Sequence, residues 1–375
     1  MKVAVMGAGL SGLSCAIELE RNGIRPAVFE KRSSVGNRFV NAELLVSIFS
    51  RPITDEISYL AEKHHLYLSP ASNVKSLEIN SPNQQAVIEG HLGFTTIRGR
   101  HQDSWEQQLV NQLNTPIHYD SNVSYEQLLR EYTHVVVATG DAAYTQEISQ
   151  FRVGSRAALK GVTVEGEFSR SKVACWFNCD FAPGGYGYFI PYSKKEANVV
   201  LAIPQPPSDK SQSGSLPHDL FRIEEDRWDL FFESVRKQLN QKLKVTDGFS
   251  VSNYIMGICE TPRVGNTFFT GNCFGTLMPL LGFGQFPSVL SGIYAADDIC
   301  GISHYTETTR ALRTSFEQSL VLRRFMERLK NDDFDVIVSK MNGFWGQKLL
   351  ASHKDVLKWI AYALRIWMAG SRLTP

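Results

Sequence analysis

The sequence predicts an α/β protein: a parallel-sheet domain, a second and mostly antiparallel β-sheet inserted into it, and a C-terminal helical region. Three observations carry this. A short apolar strand runs directly into Gly7-Ala8-Gly9-Leu10-Ser11-Gly12 and then a helical pattern. Two further apolar strands, His134–Thr139 and Phe268–Thr270, end in glycine much later in the chain. Between them lie alternating, turn-punctuated stretches that read as β.

The opening unit has strand Val3–Met6, a helix with Leu13, Ala16, Ile17 and Leu19 on one face, a stop at Asn22-Gly23, and strand Ala27–Phe29 ending in Glu30. Each glycine has a task. Gly7 makes the tight turn out of the strand, Gly9 lets a pyrophosphate approach the backbone, and Gly12 lets the helix pack on the sheet. The helix start then aims free N–H groups and its positive dipole end at phosphate. Glu30 follows Gly12 by eighteen residues, placed to accept hydrogen bonds from a ribose. The unit predicts a dinucleotide site, for NAD or FAD.

Composition narrows the class. The 375 residues carry 39 Lys+Arg against 38 Asp+Glu, a net charge of +1, which argues against a nucleic-acid partner. Hydrophobic residues at 43% and charged residues at 21% describe an ordered globular chain. The six cysteines (Cys15, Cys175, Cys179, Cys259, Cys273, Cys300) form no C-x-x-C, so no metal site is expected. They read as free thiols of a reducing compartment. With neither a signal peptide nor a membrane span in the sequence, the expected location is cytoplasmic.

The later motifs choose between the dinucleotides. His134–Gly140 resembles the second nucleotide-contact strand of two-dinucleotide-fold flavoproteins. Phe268–Gly275, continuing through Pro279 and Gly282-Phe283-Gly284 into a small-residue helix at 291–296, resembles the flavin-side motif of the p-hydroxybenzoate-hydroxylase superfamily. There a Gly-Asp holds the ribityl chain; here Gly271-Asn272 stands in its place, able to hydrogen-bond a hydroxyl without the charge. Three motifs in this order favour non-covalent FAD. No second strand–G-x-G-x-x-G–helix unit is present, so NAD(P)H would be a transient electron donor, or another carrier would serve.

Within the inserted sheet, Gly185-Tyr186-Gly187-Tyr188-Phe189-Ile190-Pro191 is similar to the Tyr-x-Trp-x-Phe-Pro segment of geranylgeranyl reductases, which saturate isoprenoid double bonds. Arg98-Gly99-Arg100, followed by a helix with Trp105, Leu109 and Leu113, resembles the Arg-bearing start of that family's long helix. Tyr188 replaces the Trp and Ile190 the Phe, and Asn37-Arg38-Phe39-Val40 stands where the family has Arg-Cys-Gly. The resemblance covers most of residues 1–300. It implies a Rossmann-like FAD-binding domain over 1–71, 100–161 and 262–302, a substrate-covering sheet over 72–99 and 162–261, and a helical region over 303–375. It also implies FAD contacts at Gly7, Gly9, Gly12, Glu30, Arg38, Arg98, Gly140, Gly271, Asn272, Gly282 and Gly284, and a small, lipid-like substrate. Tyr-x-Tyr-x-Ile-Pro fits more loosely the Trp-x-Trp-x-Ile-Pro of flavin-dependent halogenases.

Tyr186 and Tyr188, two apart on a strand, share one face and either pack a core or wall a substrate cavity. His64-His65 reads as a surface pair, and Glu224–Asp226 and Asn331–Asp333 as helix starts. Residues 205–218 read as a flexible surface loop. From Lys354 to Met368, Val356, Ile360, Ala363, Leu364 and Trp367 recur at helical spacing beside Lys354, Lys358, Arg365 and Arg372. That helix either packs on its own domain or makes a peripheral membrane contact. Three function classes follow: a flavin reductase of C=C bonds, a flavin monooxygenase, and a non-catalytic flavin sensor or scaffold.

Overall fold

Strand β1 (Val3–Met6) lies inside a parallel sheet because its residues are apolar on both faces, the pattern of a strand covered on both sides. A computed structural model describes residues 1–205, 222–343, 346, 348, 352 and 354–370. The loop read over 205–218 lies, apart from Gln205, outside the described residues, as do Arg372 and the Trp367 side chain. The first sheet also holds β2 (Ala27–Phe29), β6 (Ile117–His118), β7 (His134–Val137), β13 (Arg263–Val264) and β14 (Thr267–Phe269), ordered β13-β14-β7-β1-β2-β6. All pairs are parallel except the edge pair β13–β14.

Helix α1 (Leu10–Arg21) links β1 to β2, and α7 (Gln285–Ile299) follows β14. The two helices touch backbone to backbone. A Cβ at Gly292 of α7 would sit 2.0 Å from the Ser11 carbonyl oxygen, and the Ser14 hydroxyl donates to the Val289 carbonyl at 2.9 Å. Between them α2 (Glu56–His64), α3 (Trp105–Val110), α4 (Tyr125–Glu131) and α5 (Ala142–Ile148) flank the sheets. The helix expected to contain Trp105, Leu109 and Leu113 stops at Val110. Gln112 and Leu113 close tight turns onto its last residues instead.

The second sheet has eight strands in the order β12-β8-β11-β10-β9-β4-β5-β3. They are β3 (Asn41–Val46), β4 (Ser72–Asn80), β5 (Gln85–Arg98), β8 (Phe151–Glu165), β9 (Lys172–Trp176), β10 (Tyr186–Pro191), β11 (Glu196–Pro204) and β12 (Lys244–Cys259). Pairing is antiparallel except between β4 and β9. β3 and the first part of β8 fall within 1–71 and 100–161, so this sheet reaches across both of those boundaries. The reason is pairing: β3 finds its partner in β5, Asn41 opposite Arg98 and Val46 opposite Gly93, far beyond the reach of a hairpin.

One face of this sheet is covered by α6 (Glu225–Leu239), whose Trp228, Phe231, Phe232 and Val235 are buried against Trp176, Phe189, Val199 and Leu201. On the other side run α9 (Arg310–Met326), α10 (Asn331–Met341) and a C-terminal helix, Val356–Gly370, while α8 (Tyr305–Thr308) packs Tyr305 against Phe268 and Phe274 beside the parallel sheet.

Candidate functional site

The glycine loop after β1 and the two helix starts beside it enclose a groove of about 990 Å³. Gly7 has φ +110°, and a Cβ there would meet the Ala138 carbonyl oxygen at 2.4 Å, so the chain can leave β1 only through glycine. Gly12 lies beneath the groove: its Cβ would fall 1.9 Å from the Gly7 carbonyl oxygen, which is what close helix–strand packing requires. Gly9 differs. No heavy atom comes within 4 Å of its Cβ position, so the space it leaves faces the open groove. It caps α1 with no side-chain hydrogen bond, and no acidic residue stands in the first turn. The first turn thus brings no acidic side chain of its own to its free N–H groups. Gly284 caps α7 in the same bare way and lines the same groove.

Glu30 is nearly buried. One of its carboxylate oxygens accepts from the Ala8 N–H and the other from the Arg32 N–H, both at 2.9 Å. Across the groove lie Gly140 and Gly271, and the Asn272 amide donates to the Gly140 carbonyl at 3.4 Å. Arg38 and Arg98 line a further stretch. Arg98 donates from Nε to Glu106 at 2.7 Å, and lies 3.8 Å from Glu43; Arg38 lies 3.8 Å from Glu106. Burial alone would lower the Arg98 pKa, but the carboxylates of Glu106 and Glu43 hold it above its ordinary value. The structure therefore brings Gly7, Gly9, Glu30, Arg38, Arg98, Gly140, Gly271, Asn272 and Gly284 to one groove, with Gly12 beneath it.

Gly282 is elsewhere. With Phe283 it lines a second, apolar cavity of about 390 Å³ under the eight-stranded sheet. Tyr186, Tyr188 and Ile190 project into it from one face of β10, while Phe189 packs from the opposite face among the α6 side chains. A Cβ at Gly187 would strike the Phe231 ring at 2.1 Å. The tyrosine rings stack at 5.8 Å, and the Tyr186 hydroxyl donates to the Leu281 carbonyl at 2.6 Å. Burial pushes both phenols above their ordinary pKa. They stay protonated at neutral pH, so they can orient a group but release a proton poorly.

Glu43 and Tyr254 line both spaces and form the partition between groove and cavity. Glu43 accepts from Gln285 Nε2 at 2.6 Å and from the Asn41 amide at 3.1 Å. The Thr96 hydroxyl donates to Gln285 Oε1 at 2.7 Å. Sequence reasoning passes over this partition. Its one local signal is Glu43 itself, a lone charge in the apolar run Ala42–Val46. Tyr254 has none. His64, expected at the surface, is instead half-buried, its ring 5.5 Å from Tyr59 and 6.4 Å from Tyr294, and burial lowers its pKa.

Residues 5–44 match the family described as NAD(P)-binding Rossmann-like domain. The chain is similar to thiamine thiazole synthase of Thermotoga maritima, 25% identical over 104 residues, covering 26% of this chain and 42% of that protein. The match thus spans less than half of that curated relative. Over nearly its whole length the chain is similar to the crystal structure of a geranylgeranyl bacteriochlorophyll reductase-like protein from Thermoplasma acidophilum. The TM-score is 0.66 at 15% identity, covering 96% of this chain and 95% of that one. It is likewise similar to a flavin-dependent brominase, with TM-score 0.65, 14% identity and 100% of both chains covered. The α/β architecture with a Rossmann-like domain, an inserted sheet and C-terminal helices is therefore shown, and it is the fold of these two proteins.

Proposed function

We propose that this protein is a cytoplasmic FAD-dependent oxidoreductase that saturates carbon–carbon double bonds of an apolar, isoprenoid or lipid-like substrate. The observation that carries the reading is the apolar cavity set against the dinucleotide groove, the two sharing Glu43 and Tyr254 as wall residues. The groove fits the cofactor: Gly9 leaves room for a pyrophosphate, and two uncapped helix starts offer free N–H groups to it. Glu30 has used one acceptor position on each oxygen and keeps others for ribose hydroxyls. Asn272 offers a neutral amide to the ribityl chain, and Arg38 and Arg98 supply positive charge along the wall. Bound there, FAD would supply two-electron transfer, with NAD(P)H or another carrier as a visiting donor.

The chain's own residues then orient and shield. The Tyr186 and Tyr188 rings and the Leu280–Phe283 loop give the substrate an apolar wall and keep water from it. Tyr186 is fixed by Leu281, which holds the ring pair in place. A second reading, flavin-dependent hydroxylation or halogenation of a compact ring, is favoured by the volume of about 390 Å³, toward the small end of ligand sites. A sensor or scaffold would have no need of this chamber.

The test is anaerobic reduction of the purified, yellow protein followed by addition of a polyprenyl substrate. Reoxidation of the flavin with a saturated product by mass spectrometry is expected. Oxygen-dependent modification of an aromatic ring, with no prenyl saturation, would establish the second reading instead. Tyr188→Ala should lower turnover by ~10-fold or more while flavin content stays unchanged, since the ring lines the cavity and not the groove.

A further inference from the structure

The C-terminal helix Val356–Gly370 closes one side of the apolar cavity and is itself apolar nearly all round. Its inner stripe is accounted for: Ala361 is buried, and Leu357 and Leu364 pack with Val321 and Leu322 of α9. Leu357 and Ile360 line the cavity. A helix lying on its own domain normally turns polar residues outward. Here the outward side carries Trp359, Tyr362 and Ile366, exposed by 61%, 69% and 57%.

The apolar surface continues to the cavity. Ile360, and Ile337 of α10, are each both partly exposed and cavity-lining, so each carries the apolar lining of the cavity out to the surface. Val336, 52% exposed, lies beside Ile337. Lys358 and Arg365, seven residues apart, share one flank of the helix, and Lys354 holds its ammonium 5.8 Å from the Trp359 ring. Asp355 is the acidic residue among them.

We propose that this face docks on an anionic lipid surface, so that the apolar lining carried out at Ile337 and Ile360 meets the bilayer and the cavity draws its substrate from the lipid phase. Trp and Tyr rings suit the headgroup level, aliphatic side chains suit the acyl boundary, and the cationic flank meets lipid phosphates. A second copy suits the face less well. A twofold contact through this one helix would gather the cationic flanks of both copies at a single patch, without the negative charge that the headgroups bring. The docking stands independently of the reading above; only the delivery of substrate rests on it.

The experiment is co-flotation of the full-length, FAD-loaded protein with phosphatidylcholine vesicles, with and without phosphatidylglycerol. Flotation is expected with the anionic vesicles and should weaken with salt. Replacing Trp359→Ser together with Ile366→Ser should lower the bound fraction by ~10-fold or more. Lys358→Glu with Arg365→Glu should remove the preference for phosphatidylglycerol. Tyr67→Ser, exposed but outside this helix and both cavities, should change nothing. Unchanged flavin content and circular dichroism show that each variant folds.

Absence of flotation, or flotation untouched by both double variants, would overturn the docking. So would a wild-type dimer that Trp359→Ser converts to a monomer. Turnover of detergent-dispersed substrate separates the two ideas: with turnover intact and flotation absent, the docking fails and the reductase reading stands. With flotation as expected and no prenyl turnover, the docking stands and that reading fails.

Discussion

At Gly9 the missing side chain serves the groove and at Gly7 it serves the fold, and substitutions separate the two. Gly9 has an ordinary extended backbone (φ −84°) and open space around its Cβ position. Gly9→Val should therefore leave the melting temperature nearly unchanged while the protein purifies without flavin, read from the visible absorbance. Gly7→Ala, at φ +110° and against the Ala138 carbonyl, should destabilise by about 2 kcal/mol. Asp297 gives a pH signature. Burial, with Glu18 nearby, raises its carboxyl from 3.8 to about 6. Between those values the folded state holds a proton that the unfolded state has lost, so stability falls as pH rises from about 4 to 6. Asp297→Asn should thus stabilise at pH 7.5, by at most about 3 kcal/mol and less with solvent screening, and do little at pH 4. Thermal melts at the two pH values check it. The glycines and Glu30 are legible in the sequence because local geometry dictates their spacing. The facing of Tyr186 and Tyr188 follows from the two-residue period of a strand. Glu43 and Tyr254 meet only through pairings across the whole chain, which no local pattern encodes.

Among the elements, the α1–α7 contact decides whether the groove keeps its shape. Ser11 and Ser288, one from each helix, line it, and Gly292 sets the distance between them. Gly292→Ala would put a methyl 2.0 Å from the Ser11 carbonyl oxygen and 2.3 Å from the Ser14 hydroxyl. The helices would have to part, costing on the order of 3 kcal/mol. Denaturant unfolding should show that loss together with weaker flavin retention, a pairing that Gly9→Val would not produce. The opening strand–helix–strand unit is readable because each element declares itself within a dozen residues. β3 is not, since its partner is β5, and α3 ends early at Val110, with Gln112 and Leu113 closing tight turns onto its last residues. β10 is readable for the opposite reason: its turn, its aromatic alternation and its hairpin partner β11 are all close in sequence.

Across the whole molecule, Gln285 ties α7, the helix that follows β14 of the parallel sheet, to the eight-stranded sheet. This buried amide at the start of α7 accepts from Thr96 on β5 and donates to Glu43 on β3. Gln285→Leu would leave a carboxylate oxygen of Glu43 short of a partner, while the Thr96 hydroxyl keeps the Glu43 carbonyl at 3.2 Å, costing about 1–3 kcal/mol. Calorimetry should show it, and a shifted flavin spectrum is expected because Glu43 walls both spaces. The parallel sheet carries one more consequence, for the newly made chain. β1 is written first, yet its neighbour β7 comes at residue 134, and β14 and α7 only after residue 266. At synthesis rates of roughly 5–20 residues per second, the apolar strand and the bare glycine turn wait roughly 15 to 60 s for the last wall of their groove. During that interval Val3–Met6 is an unprotected sticky segment, a natural client for a chaperone. The groove is thus complete only once α7 has been made, so nucleotide capture follows its synthesis and joins walls that lie far apart in sequence.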